Sequence, residues 1–199
     1  MLLDTGLALR PVNRTNALVE NKSTAWRGLH GLVCKKGNAR QLRHSQLNEI
    51  LWRALKKAQI PAIREPLGLL RTDGKRPDGA TQIPWARGKP MAWDVTVPDT
   101  FADAHVNSTS IRACAAADHA ATAKTTKYAN LAPTHIFIPF AIETSGAWNN
   151  QALELAQEIG RRTTAITRNP LETVYLCQRI SIAIQRGNAV SFTSTFKIE

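Results

Sequence analysis

The chain has 199 residues, with 26 Lys and Arg against 15 Asp and Glu, a formal net charge of +11. That length carries one domain with a real core, and an ordinary composition excludes wholesale disorder. No apolar run reaches membrane-spanning length, so the positive excess points to a polyanion, with nucleic acid ahead of a membrane surface. Three cysteines at irregular spacing make no disulfide framework. The first residues lack the basic, apolar and small-residue order of a signal peptide. Both features predict an intracellular, reducing compartment.

Residues 1–25 are rich in Asn, Thr and Arg without a period and are expected to be a poorly structured leader. A Gly/His/Cys segment and a basic loop, Lys35 to Arg40, follow within residues 26–45. The clearest helix comes next. Leu47, Ile50, Leu51, Ala54, Leu55 and Ala58 form one apolar stripe at the helical period, with a cap at or just before Ser45 and a stop at Pro61. Glu49 lies almost opposite that stripe. Ala62 to Glu65 reads as a short strand. Gly68 to Lys75 reads as strand then turn, with Asp73-Gly74 as a hairpin signal.

Two further strands are expected over Arg76 to Pro84 and Met91 to Val97, separated by a Gly/Pro/Lys-rich turn. Each carries one aspartate, Asp78 and Asp94. The alanine-rich run from Ser108 to Asn130 predicts a helix, with Ala113, Ala117, Ala120 and Ala121 as a small face and Lys124 and Lys127 as neighbours near its end. His135 to Glu143 is nearly all apolar and suits a central strand, although Pro139 asks for a bulge or an edge. A helix over Gln151 to Thr164 follows. The last helix starts at Asn169-Pro170-Leu171-Glu172 and runs to Arg186, with Gly187-Asn188 as its stop. The sum is a mixed α/β domain with helices on a small sheet.

A carboxylate in a buried strand is costly unless something pairs with it. If the two strands pair, Asp78 and Asp94 reach one point. Hard oxygen ligands there suit Mg²⁺ or Mn²⁺, and Lys124 or Lys127 could orient a water or neutralise a phosphate. Two acids, one metal and one lysine suffice for hydrolysis of a phosphodiester. The plainer reading makes Pro-Asp-Gly a turn, Asp94 a backbone cap and the lysines solvated helix residues.

Four blocks in order are Arg76-Pro77-Asp78-Gly79, Asp94-Val95-Thr96-Val97, Lys124-x-x-Lys127-Tyr128 and Phe140-Ala141-Ile142-Glu143-Thr144. Together they resemble the restriction-like endonuclease domain at the C-terminal end of non-LTR retrotransposon reverse transcriptase polyproteins, a branch of the PD-(D/E)XK nucleases. The resemblance implies a restriction-endonuclease-like αβββαβ core over residues 46–192, with C-terminal helices, as a piece of a longer polyprotein. It implies a DNA endonuclease that nicks target DNA for integration in the nucleus, with element RNA as a second partner and no small-molecule ligand. Asp78 and Asp94 would hold Mg²⁺ or Mn²⁺. Thr96 stands where the superfamily usually has lysine, and Lys124 or Lys127 would fill that role from the helix. Glu65 is a further acid near the sheet edge. Arg40, Arg43, Lys56, Lys57, Arg76, Arg87 and Lys89 are the candidate phosphate contacts. His30, Cys34 and His44 match part of the family's Cys/His motif, three ligands where zinc takes four. Cys114 and Cys177 are expected to be small core residues. The competing expectation is a nuclease-derived module that binds nucleic acid without turnover.

Overall fold

The computed structural model describes residues 39–193, apart from Thr72. The leader and most of the Cys/His segment, including His30 and Cys34, lie outside the described residues. The chain forms α1 (Ala39–Lys57), β1 (Ala62–Arg64), β2 (Gly79–Thr81), β3 (Met91–Thr96), α2 (Ala115–Lys127), β4 (Ile136–Ala141), α3 (Asn150–Thr167) and α4 (Glu172–Thr193). The sheet order is β1-β2-β3-β4. The first two pairings are antiparallel, and β3 pairs with β4 in parallel across the α2 crossover.

Strand β3 organises both layers because its residues alternate. Met91, Trp93 and Val95 are fully buried in a core with Leu47, Leu51 and Leu55 of α1, Leu155 and Ile159 of α3, and Leu176, Ile180 and Ile184 of α4. Each such aliphatic side chain contributes about 1.5–3 kcal/mol on leaving water. Ala92, between them, belongs to a second cluster with Ala80, Tyr128 and Leu131. Helix α2 lies over the sheet through small residues, Ala117 and Ala121 against Ala141. The alanine run therefore serves close approach as well as helix propensity.

Gly79 is not a turn residue. It pairs with Trp93 across β2 and β3, and a Cβ there would enter the indole ring. The Trp93 Nε1 donates to Asn48 Oδ1 at 2.9 Å, which satisfies its one polar atom inside the core.

Several boundaries differ from expectation. Helix α1 starts by Ala39, so Ser45 is an interior residue and the domain boundary at 46 falls within a helix. The described residues of Gly68 to Lys75 form no strand: Leu67–Leu69 is a 3-10 turn, and Asp73 Oδ1 accepts from Lys75 N to fold the Asp-Gly turn on itself. Leu67 and Leu70 are exposed, so nothing is gained there by sheet pairing. Helix α2 starts at Ala115 rather than Ser108, because Cys114 takes a left-handed backbone (φ 67°) and Val106–Thr109 forms a separate single turn. Ala113 is thus exposed outside the helix. Strand β4 lies at the sheet edge, which suits Pro139, and β3 is the interior strand beside it.

The last helix does not stop at Gly187. It continues to Thr193, and Gly187 is where α4 crosses Arg43 of α1; a Cβ at Gly187 would strike the Arg43 side chain. Arg43 is 1% exposed, with its guanidinium near Gly187 O and Asn188 Oδ1, both at 3.4 Å. Burial lowers its pKa.

Candidate metal centre

Extending the Gly79–Trp93 pairing by one residue sets Asp78 opposite Asp94. Residues directly opposite on antiparallel strands point to the same face, and so the two acids meet. Asp78 Oδ2 accepts from Val95 N at 2.6 Å and lies 3.0 Å from His44 Nε2. Its backbone carbonyl accepts from Glu65 N at 2.9 Å, which fixes the segment against β1. Asn48 Nδ2 adds a longer bond to the same carbonyl, at 3.4 Å.

Asp94 is 3% exposed. Its Oδ1 accepts from Lys124 Nζ, and Lys127 Nζ lies 4.0 Å from its Oδ2. Both lysines come from the last turn of α2. The small face of that helix lets them reach the strand. At its other end, Glu143 (1% exposed) accepts from Ala116 N and Ala117 N and caps the helix. Thus Asp94, the lysines and the Glu143 cap are held by one β–α–β unit.

Tyr128 closes the arrangement. Its hydroxyl donates to Arg76 O at 2.7 Å and accepts from Lys127 Nζ at 2.8 Å. Burial, then the Asp94 carboxylate, drive its pKa well above the usual phenol range, so it stays neutral. Burial lowers the Lys127 pKa, with Lys124 adding to the effect and Asp94 opposing it. For His44 the hydrogen bond to Asp78 raises the pKa, against burial.

One ligand atom each from His44, Asp78 and Asp94 lie within 4.8 Å of one another. Two carboxylate oxygens and an imidazole nitrogen so placed could hold a divalent ion. His44 was expected with His30 and Cys34, which lie outside the described residues; its Nε2 lies 3.0 Å from Asp78 Oδ2. Sequence reading missed this role although a signal existed. His44 and Asn48 fall on the inward stripe of α1, eight and four residues ahead of Trp52, beside Leu47 and Leu51. Polar residues on such a stripe need partners, and these find Asp78 and Trp93.

The remaining candidates scatter. Glu65 pairs with Arg76 and points its charge there, not at the acids. Glu49 pairs with Arg53 and Arg64, away from the centre as expected. Arg43 is buried, so its guanidinium offers no phosphate contact at the surface. Lys57 pairs with Glu172, Lys56 sits 4.5 Å from the Trp52 ring centroid, and Lys89 donates to Ala132 O at 2.9 Å. Arg40 and Arg87 are exposed. Thr96 ends β3 opposite Ala141. Cys114 and Cys177 are half-buried free thiols, and Cys177 packs against the main core.

No protein-family model matches the sequence, and no curated protein matches it. Among the described residues no helix is long and apolar enough to cross a membrane.

Proposed function

We propose that the protein is a metal-dependent DNA endonuclease with a restriction-endonuclease-like core, related to the nuclease domain of non-LTR retrotransposon polyproteins. The observation that carries the reading is the convergence of Asp78, Asp94 and His44 within 4.8 Å, with Lys124 bonded to Asp94. The helix, three strands, helix, strand order supports it.

The donor set fits Mg²⁺ or Mn²⁺, and the imidazole favours Mn²⁺ of the two. When bound, the ion would supply Lewis-acid polarisation of a phosphate oxygen and a lowered water pKa. Asp78 and Asp94 hold that charge. The backbone amide of Val95 fixes the Asp78 carboxylate, and Asn48 anchors the same segment through its carbonyl. Lys124 keeps an ammonium beside Asp94, where it meets negative charge developing on a scissile phosphate. Lys127, tied to the Tyr128 hydroxyl, adds a second positive charge at fixed range. The net charge of +11 favours DNA binding with a steep salt dependence.

Plasmid nicking by the purified protein in Mg²⁺ and Mn²⁺ tests the reading. Asp78→Ala abolishes metal-dependent nicking and leaves the circular dichroism spectrum unchanged. A folded protein without any metal-dependent cleavage that this change removes overturns it. One observation favours a second reading. Asp94 is already neutralised by Lys124, and Asp78 already has Val95 N and His44. A nuclease-derived module that binds DNA without cutting has this internally paired site, and salt-sensitive binding with no cleavage in either metal singles it out.

A further inference from the structure

A cleft of roughly 550 Å³ opens between the β2–β3 turn, the end of α2 and the start of β4. Its volume is in the range that takes a nucleotide-sized ligand. Its walls combine two chemistries. Trp85 and Phe137 supply half-buried aromatic surface, the buried Tyr128 ring backs the wall, and Arg87 and Lys89 supply positive charge at the rim. His135 also lines it, with burial lowering its pKa and so favouring a neutral ring. Among the described residues no carboxylate lines the cleft. The aromatic walls are held in place. The Arg162 guanidinium lies 3.9 Å from the Trp85 ring centroid and donates to Trp85 O at 3.1 Å. The Phe137 and Tyr128 ring centroids are 4.8 Å apart.

Tyr128 joins this cleft to the metal centre. Its ring forms part of the cleft wall, while its hydroxyl is bonded to Lys127, beside Asp94. One residue, Tyr128, therefore links the cleft wall to the proposed reaction centre. A flat ring that stacks and a phosphate that meets cations are the two halves of a nucleotide. A base paired within a duplex cannot present its face to such walls. An unpaired base can.

We infer that this cleft binds an unpaired nucleotide adjoining the scissile phosphate, so the substrate carries a single-stranded segment at the cleavage point. The inference rests on the nuclease reading and specifies its substrate. Stacking gives the cleft tolerance of base identity, and Arg87 and Lys89 set the phosphate register.

Fluorescence anisotropy of the whole chain in EDTA, with a short labelled single strand and with a blunt duplex of the same sequence, tests it without any need for cleavage. The wild type binds the single strand more tightly than the duplex at equal salt. Trp85→Leu weakens single-strand binding by roughly tenfold, the scale of one lost base stack, and changes duplex binding by much less. Arg87→Ala, an exposed change that leaves the core alone, weakens single-strand binding and makes its salt dependence shallower. Equal loss on both ligands from Trp85→Leu, or tighter binding of the duplex by wild type, overturns the inference. If Trp85→Leu fails to fold, free dAMP replaces it: shift of the Phe137 and Tyr128 ring proton resonances supports the cleft, and no shift at saturating nucleotide overturns it. Single-strand binding of the expected kind in a protein that never cleaves removes the endonuclease reading and keeps the cleft.

Discussion

His44 Nε2 stands 3.0 Å from Asp78 Oδ2, a contact that joins α1 to the segment entering β2. This pair ties the helix to the candidate metal centre. Replacing His44 by Gln keeps size and polarity but presents an amide where the ring nitrogen stood. The expected outcome is Mn²⁺ binding weakened by at least tenfold, in the range for a lost ligand or a lost orienting partner, with the unfolding midpoint in EDTA little changed. Isothermal titration with Mn²⁺ measures it. Unchanged Mn²⁺ affinity removes His44 from the centre.

Lys124 is the cation that balances Asp94. With metal absent, Lys124→Ala leaves a carboxylate 4% exposed with Lys127, 4.0 Å away, and the His44 ring within 4.8 Å to offset it. Removing one partner of a buried pair costs about 3–5 kcal/mol. The outer position of Lys124 (26% exposed) and the nearby Lys127 place the effect at the lower end, near ~3 kcal/mol. A divalent ion supplies the missing positive charge, so the loss shrinks in Mn²⁺. Urea unfolding in EDTA and in Mn²⁺ gives the two values. Equal losses in both solutions mean that Asp94 does not hold the metal.

The strand aspartates were readable before the fold was known. Each sat in a short run with extended character, and the turn between them was compatible with a hairpin. The lysine pair was readable from its spacing on an alanine helix. His44 was hidden because its local signal, Arg43-His44 after a Gly/His/Cys segment, pointed to another set of ligands. Its partner is 34 positions away in sequence, and only the packing of α1 on the sheet reveals it. Strand status over Gly68 to Lys75 failed for a different reason. Leu70 is exposed and Leu69 packs on the Ala80–Tyr128–Leu131 cluster from a 3-10 turn, which pattern alone cannot report. The edge position of β4 was likewise a topological fact, of which Pro139 was the sole local trace.

Gly187 separates helix-stop from helix-packing chemistry. In an exposed helix interior, Gly to Ala stabilises by about 1 kcal/mol. Here the added Cβ meets the side chain of buried Arg43. Gly187→Ala is therefore destabilising by about 1–3 kcal/mol, the cost of overpacking. Thermal unfolding gives the sign directly. A stabilised Gly187→Ala protein would show that the α1–α4 crossing is looser than 3.4 Å hydrogen bonds from Arg43 imply.

Acid sensitivity follows from the α1–α4 ion pair. Lys57 Nζ donates to both carboxylate oxygens of Glu172, at 2.7 and 2.6 Å, and that bond holds the Glu172 pKa below its ordinary value of 4.5. A lowered folded pKa means the unfolded chain binds the proton first. Stability from this pair is complete above about pH 4.5 and falls as pH drops through the folded value. Glu158, pulled down to about 2 by Arg161 and then Arg162, has the same sign. Its carboxylate is 30% exposed, against 5% for Glu172, so solvent screens it more. Unfolding free energy measured from pH 6 down to pH 3 therefore declines less steeply in Glu172→Gln than in wild type, and Glu158→Gln changes the slope by less. A wild-type slope in Glu172→Gln would mean that the Lys57 bond does not persist in solution.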